Sequence, residues 1–203
     1  MIPGSLNTML MGGDSDVPPV ILDTFTDTNG TQLTAHTPDI SPSSWVNASI
    51  GETPSTNALI TANKAYLSVD NSAAVIESNQ SDCVIEVDWT PGAGGTDRNS
   101  IIFRYQDASN MLFFNIRDPN GDCQVVTFQA GVSTVVSNTL FSWTGGVEYH
   151  IAVELSGSSI ICKIDGTTVI TTSNAFQTTI TKHGIGRNTG SNDHRFDNFK
   201  ITV

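Results

Sequence analysis

The chain has little basic charge, few cysteines and no long apolar run, and each shortage narrows what it can do. Lys and Arg number 9 against 20 Asp and Glu in 203 residues, a formal charge of -11. Such a surface repels phosphate backbones and anionic headgroups, which removes nucleic acid and membrane as partners. Apolar runs extend only a few residues, far short of the ~20 that cross a bilayer as a helix. The opening MIPGSLNTMLMGGDSDVPPV has neither a basic start nor a sustained apolar stretch, so the sequence predicts no signal peptide and no secretion by that route. Cys83, Cys123 and Cys162 form an odd set without C-x-x-C spacing, each inside an apolar run. They read as reduced core residues of a protein made in the cytosol.

Missing too is any sustained 3.6-residue apolar period, which excludes long helices. What the chain has instead is 25 Thr, 21 Ser and 16 Asn, a balance that favours strands and turns. Residues 1–19 mix Leu6, Met9, Leu10 and Met11 with Gly4, Gly12, Gly13 and Pro18-Pro19, too glycine-broken for a helix, and read as an N-terminal arm. From Val20 onward short apolar runs recur between Gly, Asn, Asp and Ser clusters, so residues 20–203 read as one all-β domain.

Two meanders stand out. In EYHIAVEL, Tyr149, Ile151, Val153 and Leu155 share one face while Glu148, His150 and Glu154 share the other, as a half-buried antiparallel strand requires. A turn at Ser156–Ser159, the strand IICKI, the turn Asp165-Gly166 and TTVITT follow. The second unit runs SIIFRY, QDASN, MLFFNIRD, PNG, DCQVVTF, with Asn120-Gly121 marking a tight turn. About a dozen strands are too many for one open sheet, and two antiparallel sheets packed face to face, a jelly-roll β-sandwich, are the economical solution.

IIFRYQDASNMLFFNIRD, EYHIAVELSGSSIICKIDGTTVI and the terminal HGIGRNTGSNDHRFDNFKITV resemble the hairpin, following meander and closing strand of concanavalin A-like, laminin G-like sandwich domains. The segment DTFTDTNGTQLTAHTPD and the arm SLNTMLMGG are similar to the opening of bacteriophage virion proteins that carry such a sandwich. The resemblance implies a non-catalytic structural or decoration protein of a phage capsid or tail. Such a protein would be assembled in the host cytoplasm and present in many copies or as a homo-oligomer. It would dock to other virion proteins through residues 1–19 and expose a lectin-like face to cell-surface glycans. The alternative on the same scaffold is a carbohydrate-binding module or a glycoside hydrolase.

The sharpest catalytic pattern is Glu86-Val87-Asp88 in CVIEVDWTP, two carboxylates on one strand face. Sandwich glycanases that resemble this chain place a further Glu three positions on, where Pro91 stands. Retaining hydrolysis needs a nucleophile and a separate proton donor, so the strand is read as a polar outer face, with Cys83, Ile85, Val87 and Trp89 packing inward. No catalytic residue is assigned. His36, His150, His183 and His194 are scattered, and no G-x-S-x-G elbow or zinc spacing occurs. Tyr105 and Trp143, flanked by turn residues, are the candidates for stacking on a sugar. Arg104 and Arg117 are expected to pair with Asp107 and Asp118. No cofactor is required, but related sandwiches hold a structural calcium where their termini meet. Antiparallel closure that brings Asp23 beside Asp197 would make those two its candidate ligands.

Overall fold

A computed structural model describes residues 18–51, 58–94, 97–190 and 193–203. It contains fifteen strands and two short 3-10 turns: β1 Ile21–Asp23, β2 Val46–Ser49, β3 Ala58–Thr61, β4 Lys64–Leu67, β5 Ser72–Glu77, β6 Cys83–Thr90, β7 Arg98–Asp107, β8 Asn110–Arg117, β9 Asp122–Gln129, β10 Val132–Leu140, β11 Tyr149–Ser156, β12 Ser159–Ile164, β13 Thr167–Ser173, β14 Lys182–Thr189 and β15 Arg195–Thr202. They build two antiparallel sheets. One has eight strands, ordered β13-β12-β11-β6-β15-β4-β3 with β1 also on β15; the other has seven, ordered β10-β9-β8-β7-β14-β5-β2. All but the last two residues of the arm, with its docking role, lie outside the described residues.

Local chemistry explains the hairpins. Asp165 and Gly166 both adopt positive φ, 48° and 75°, the handedness that a two-residue turn between twisted strands needs. The turn at Asn120-Gly121 is longer than expected: a 3-10 turn over Asp118–Asn120 precedes Gly121, which alone is left-handed. Strand β10 follows β9 through Ala130-Gly131, again with positive φ at both positions. The core lies between the sheets and holds Trp45, Trp89, Phe103, Phe114, Phe196 and Phe199 at 2% exposure or less. The three cysteines are free and buried.

Where β7 bulges after Phe103, Arg104 takes a positive φ of 53°. Its buried guanidinium donates to the carbonyls of Gly157 and Asn174, and its amide to Nδ1 of His183. Arg104 therefore ties the two sheets together at one end and does not pair with Asp107. Arg117 likewise reaches Asp122, at 3.3 Å, and not Asp118.

From β9 to β5 the seven-stranded sheet is buried on both faces, whereas its edge strand β10 is largely exposed. On the side away from the core, Ala48, Ile50, Ala73, Val75, Ile102, Tyr105, Met111, Phe113 and Val126 form a second apolar cluster. Just after β2, Gly51 donates to the carbonyl of Ala108 at 2.7 Å, and a Cβ added there would meet the ring of Phe128 at 3.2 Å. The other sheet leaves its outer face polar, which is where the functional groups collect.

Candidate functional site

Strand β6 alternates strictly, with Cys83, Ile85, Val87 and Trp89 buried and Val84, Glu86 and Asp88 on the outer face. Its two neighbours supply the rest. Pairing with β11 sets His150 opposite Asp88, and pairing with β15 sets Lys200 opposite Glu86. The imidazole then lies between the carboxylates, Nδ1 at 2.7 Å from Oδ1 of Asp88 and Nε2 at 3.2 Å from Oε1 of Glu86. Lys200 Nζ meets the other Glu86 oxygen at 2.7 Å. A β-bulge in β15 between Asp197 and Lys200, with Asn198 at φ 50°, re-aims the Asn198 amide so that it donates to Oδ2 of Asp88 at 2.8 Å. Beside it Lys64 joins Glu148 at 2.6 Å and Asp197 at 3.3 Å, and Arg195 lies 5.0 Å over the ring of Tyr66.

This arrangement fixes the charges. The hydrogen bond from His150, with help from Lys200, outweighs burial and holds the Glu86 carboxyl down at about 2. The same bond to Glu86, with that to Asp88, raises His150 to about 9. At neutral pH the imidazolium therefore donates from both nitrogens, to Oε1 of the ionised Glu86 and to Oδ1 of Asp88. With Glu86 ionised and His150 protonated, Glu86 is no proton donor and His150 no general base. Ionised acceptors interleaved with cationic and amide donors are suited to hydrogen-bonding the neighbouring hydroxyls of a neutral polyol. Along the same face toward the start of β6, a groove of about 370 Å³ opens between Val84, Glu154, Leu155 and Ile161.

The residues singled out in the sequence are placed differently. Tyr105 is 8% exposed and belongs to the second apolar cluster. Trp143 is half-buried, its ring 5.2 Å from Trp89, 4.4 Å from Phe141 and 5.1 Å from Tyr149, and its Nε1 donates to the Asp122 carbonyl. Tyr105 is thus buried in packing, which corrects its reading as a sugar platform, and Trp143 keeps part of its surface exposed while its ring packs on Trp89, Phe141 and Tyr149.

The calcium pair does not assemble either. Asp23 is buried on the core side and saturated by the amide of Phe25, Nε1 of Trp45 and Nε2 of His36, at 2.7, 2.6 and 2.9 Å. Asp197 sits on the outer face with Lys64. No group of three or more His, Cys, Asp or Glu among the described residues is placed to hold a metal ion, so the two aspartates do not fit a calcium site. The Glu86-x-Asp88 pair does face outward as its alternation indicates. Its partners His150, Lys200 and Asn198 lie 62 or more positions away, and no local pattern announced them.

No protein-family model matches the chain, and a search of curated proteins finds no match. Solved structures do resemble it. A carbohydrate-binding module from Bacillus subtilis aligns with a TM-score of 0.62 at 19% identity, over 78% of this chain and 95% of that one. A beta-glucanase from Bacillus licheniformis aligns at 0.62 and 12%, over 92% and 99%. Domain 4 of an extracellular arabinanase from Geobacillus stearothermophilus, in complex with arabinotriose, aligns at 0.57 and 11%, over 92% of each. The chain thus has the concanavalin A-like jelly-roll fold. Binding modules and hydrolases both occur among these neighbours, and none of the three has a virion setting.

Proposed function

We propose that the chain is a non-catalytic carbohydrate-binding sandwich that takes a neutral saccharide on the outer face of its eight-stranded sheet. The observation that carries this reading is the half-exposed set Glu86, His150, Asp88, Lys200 and Asn198. Its donors and acceptors are held by three adjacent strands and need little ordering on binding. Two of the structural neighbours, a carbohydrate-binding module and a domain that holds arabinotriose, support it. Retaining hydrolysis pairs an ionised nucleophile with a separate carboxylic acid; Glu86, held down at about 2, cannot be that acid, and Pro91 stands where the resembling glycanases carry a further Glu. Attachment to a phage particle through residues 1–19 rests on the sequence resemblance alone, and saccharide binding does not depend on it.

Glycan arrays on the full chain, followed by calorimetry on Asp88→Ala and Lys200→Ala, test the reading. A binding saccharide should lose about tenfold to a hundredfold in affinity in each variant, the ~1.5–3 kcal/mol of one hydrogen bond to a charged group. Polysaccharide turnover that disappears in Glu86→Gln would establish a hydrolase instead.

A further inference from the structure

Two acidic side chains meet where the β7–β8 ladder opens at one end of the core. The amide of Asp118 donates to the carbonyl of Asp97 at 3.0 Å, which extends the ladder one step beyond the Arg98–Arg117 pair. Two carboxylates therefore stand on opposing chains, and like charges so placed repel. Asp97 is fully buried, and its Oδ2 accepts the amide of Gly92 at 2.5 Å. Asp118 is half-buried, and its buried oxygen, Oδ2, has no hydrogen-bond partner among the described residues. Burial and the charge of Asp97 both act against the ionised form of Asp118.

A third side chain points the same way. Asn99 follows Asp97 by two residues, as Asp118 follows Ile116, and residues two apart on a strand share a face. That face is the inner one, for Ile101, Phe103 and Ile116 belong to the core cluster. Asn99 is fully buried, and neither its Oδ1 nor its Nδ2 finds a hydrogen bond among the described residues. An amide buried in this way is costly, and native chains rarely keep one. The basic residues of the same ladder step, Arg98 and Arg117, alternate to the outer side and reach Asn120 and Asp122, each at 3.3 Å.

We propose that Asp97, Asp118 and Asn99 are ligands of one calcium ion at this end of the core. A cation offsets the repulsion between the carboxylates and gives the buried oxygens of Asp118 and Asn99 the partner they lack. The donor set selects the metal. All three ligands are hard oxygens, which suit calcium or magnesium and not zinc. Only two are carboxylates, in keeping with the lack of any group of three His, Cys, Asp or Glu ligands among the described residues; peptide oxygens and water complete the shell. Calcium accepts such an irregular set, whereas magnesium demands octahedral geometry and gives up its water reluctantly. Through Gly92 on Asp97 the ion ties the β7–β8 hairpin to the segment that follows β6. The site shares no residue with the saccharide face, nor with Asp23 and Asp197.

Calorimetric titration of the chelator-stripped full chain with calcium chloride tests this. One ion should bind with a Kd of ~1 mM or tighter, and magnesium chloride ~10-fold more weakly or not at all. Asp97→Asn and Asp118→Asn should each weaken calcium ~10-fold or more, whereas Asp107→Asn, at the far end of the β7–β8 hairpin, should leave it unchanged. Thermal melts give a second readout. In chelator at pH 7, Asp118→Asn relieves the repulsion and should melt above the native chain; saturating calcium should raise the native Tm and leave that of the variant nearly fixed. No binding at millimolar calcium, an affinity unchanged in both Asp97→Asn and Asp118→Asn, or magnesium bound as tightly as calcium overturns the proposal. Because the titration and the calcium-dependent melt are read on the native chain, a variant that fails to fold leaves the test intact.

Discussion

His150 shows how one residue is set by its neighbours. Because its folded value of about 9 exceeds the ordinary 6.5, its pairing stabilises the fold fully below about pH 6.5 and loses that contribution as pH rises through 9. Glu86, held near 2 against an ordinary 4.5, contributes fully above pH 4.5 and loses its contribution as pH falls toward 2. The ring is 44% exposed, so solvent screening keeps the effect below ~1 kcal/mol. His150→Gln should therefore flatten the alkaline decline of Tm between pH 6.5 and 9, measured by thermal melts across that range; an unchanged slope contradicts the pairing. Asp118 runs the other way. Burial, reinforced by the charge of Asp97, raises its carboxyl, and its buried Oδ2 has no partner. Its ionisation destabilises the fold as pH rises through the raised value, and Asp118→Asn should raise Tm more at pH 7 than at pH 4.

The strands show what was readable in the chain and what was not. The meanders β7-β8-β9 and β11-β12-β13 were legible because alternation and the turn at Asp165-Gly166 are local. Strand β10 was not, because its residues do not alternate and its turn, Ala130-Gly131, lacks the usual asparagine. The placement of β6 between β11 and β15, which creates the site, depends on contacts between distant segments that no window of sequence displays. Glycines inside strands were equally silent. At Gly184 in β14 an added Cβ would lie 2.0 Å from the carbonyl oxygen of Ala74 and 2.8 Å from the α-carbon of Val75. Backbone cannot swing aside as a side chain can, so Gly184→Ala should cost at least ~1–3 kcal/mol in chemical denaturation. A neutral substitution would mean that β5 and β14 are not held so closely.

For the molecule as a whole, the two sheets divide the work. The seven-stranded sheet buries apolar residues on both faces, with Ile102 and Met111 fully covered. Its outer side therefore adds to the packing and presents no open polar floor. The eight-stranded sheet packs on one side only and keeps the ionised network on the other, where rigid strands hold it against the entropy of ordering long charged side chains. The two-layer architecture was legible from composition and strand spacing. The side that would meet a ligand was not, since Tyr105 and Trp143 look alike in sequence whether they face solvent or core. The most direct measurement is an amide chemical-shift map of the isotope-labelled full chain titrated with the saccharide found on the array. Perturbations centred on Glu86, Asp88, His150, Asn198 and Lys200 are the predicted result, whereas perturbations around Ile102 and Phe113, or cleavage of the saccharide during the titration, would contradict a binding face on the eight-stranded sheet.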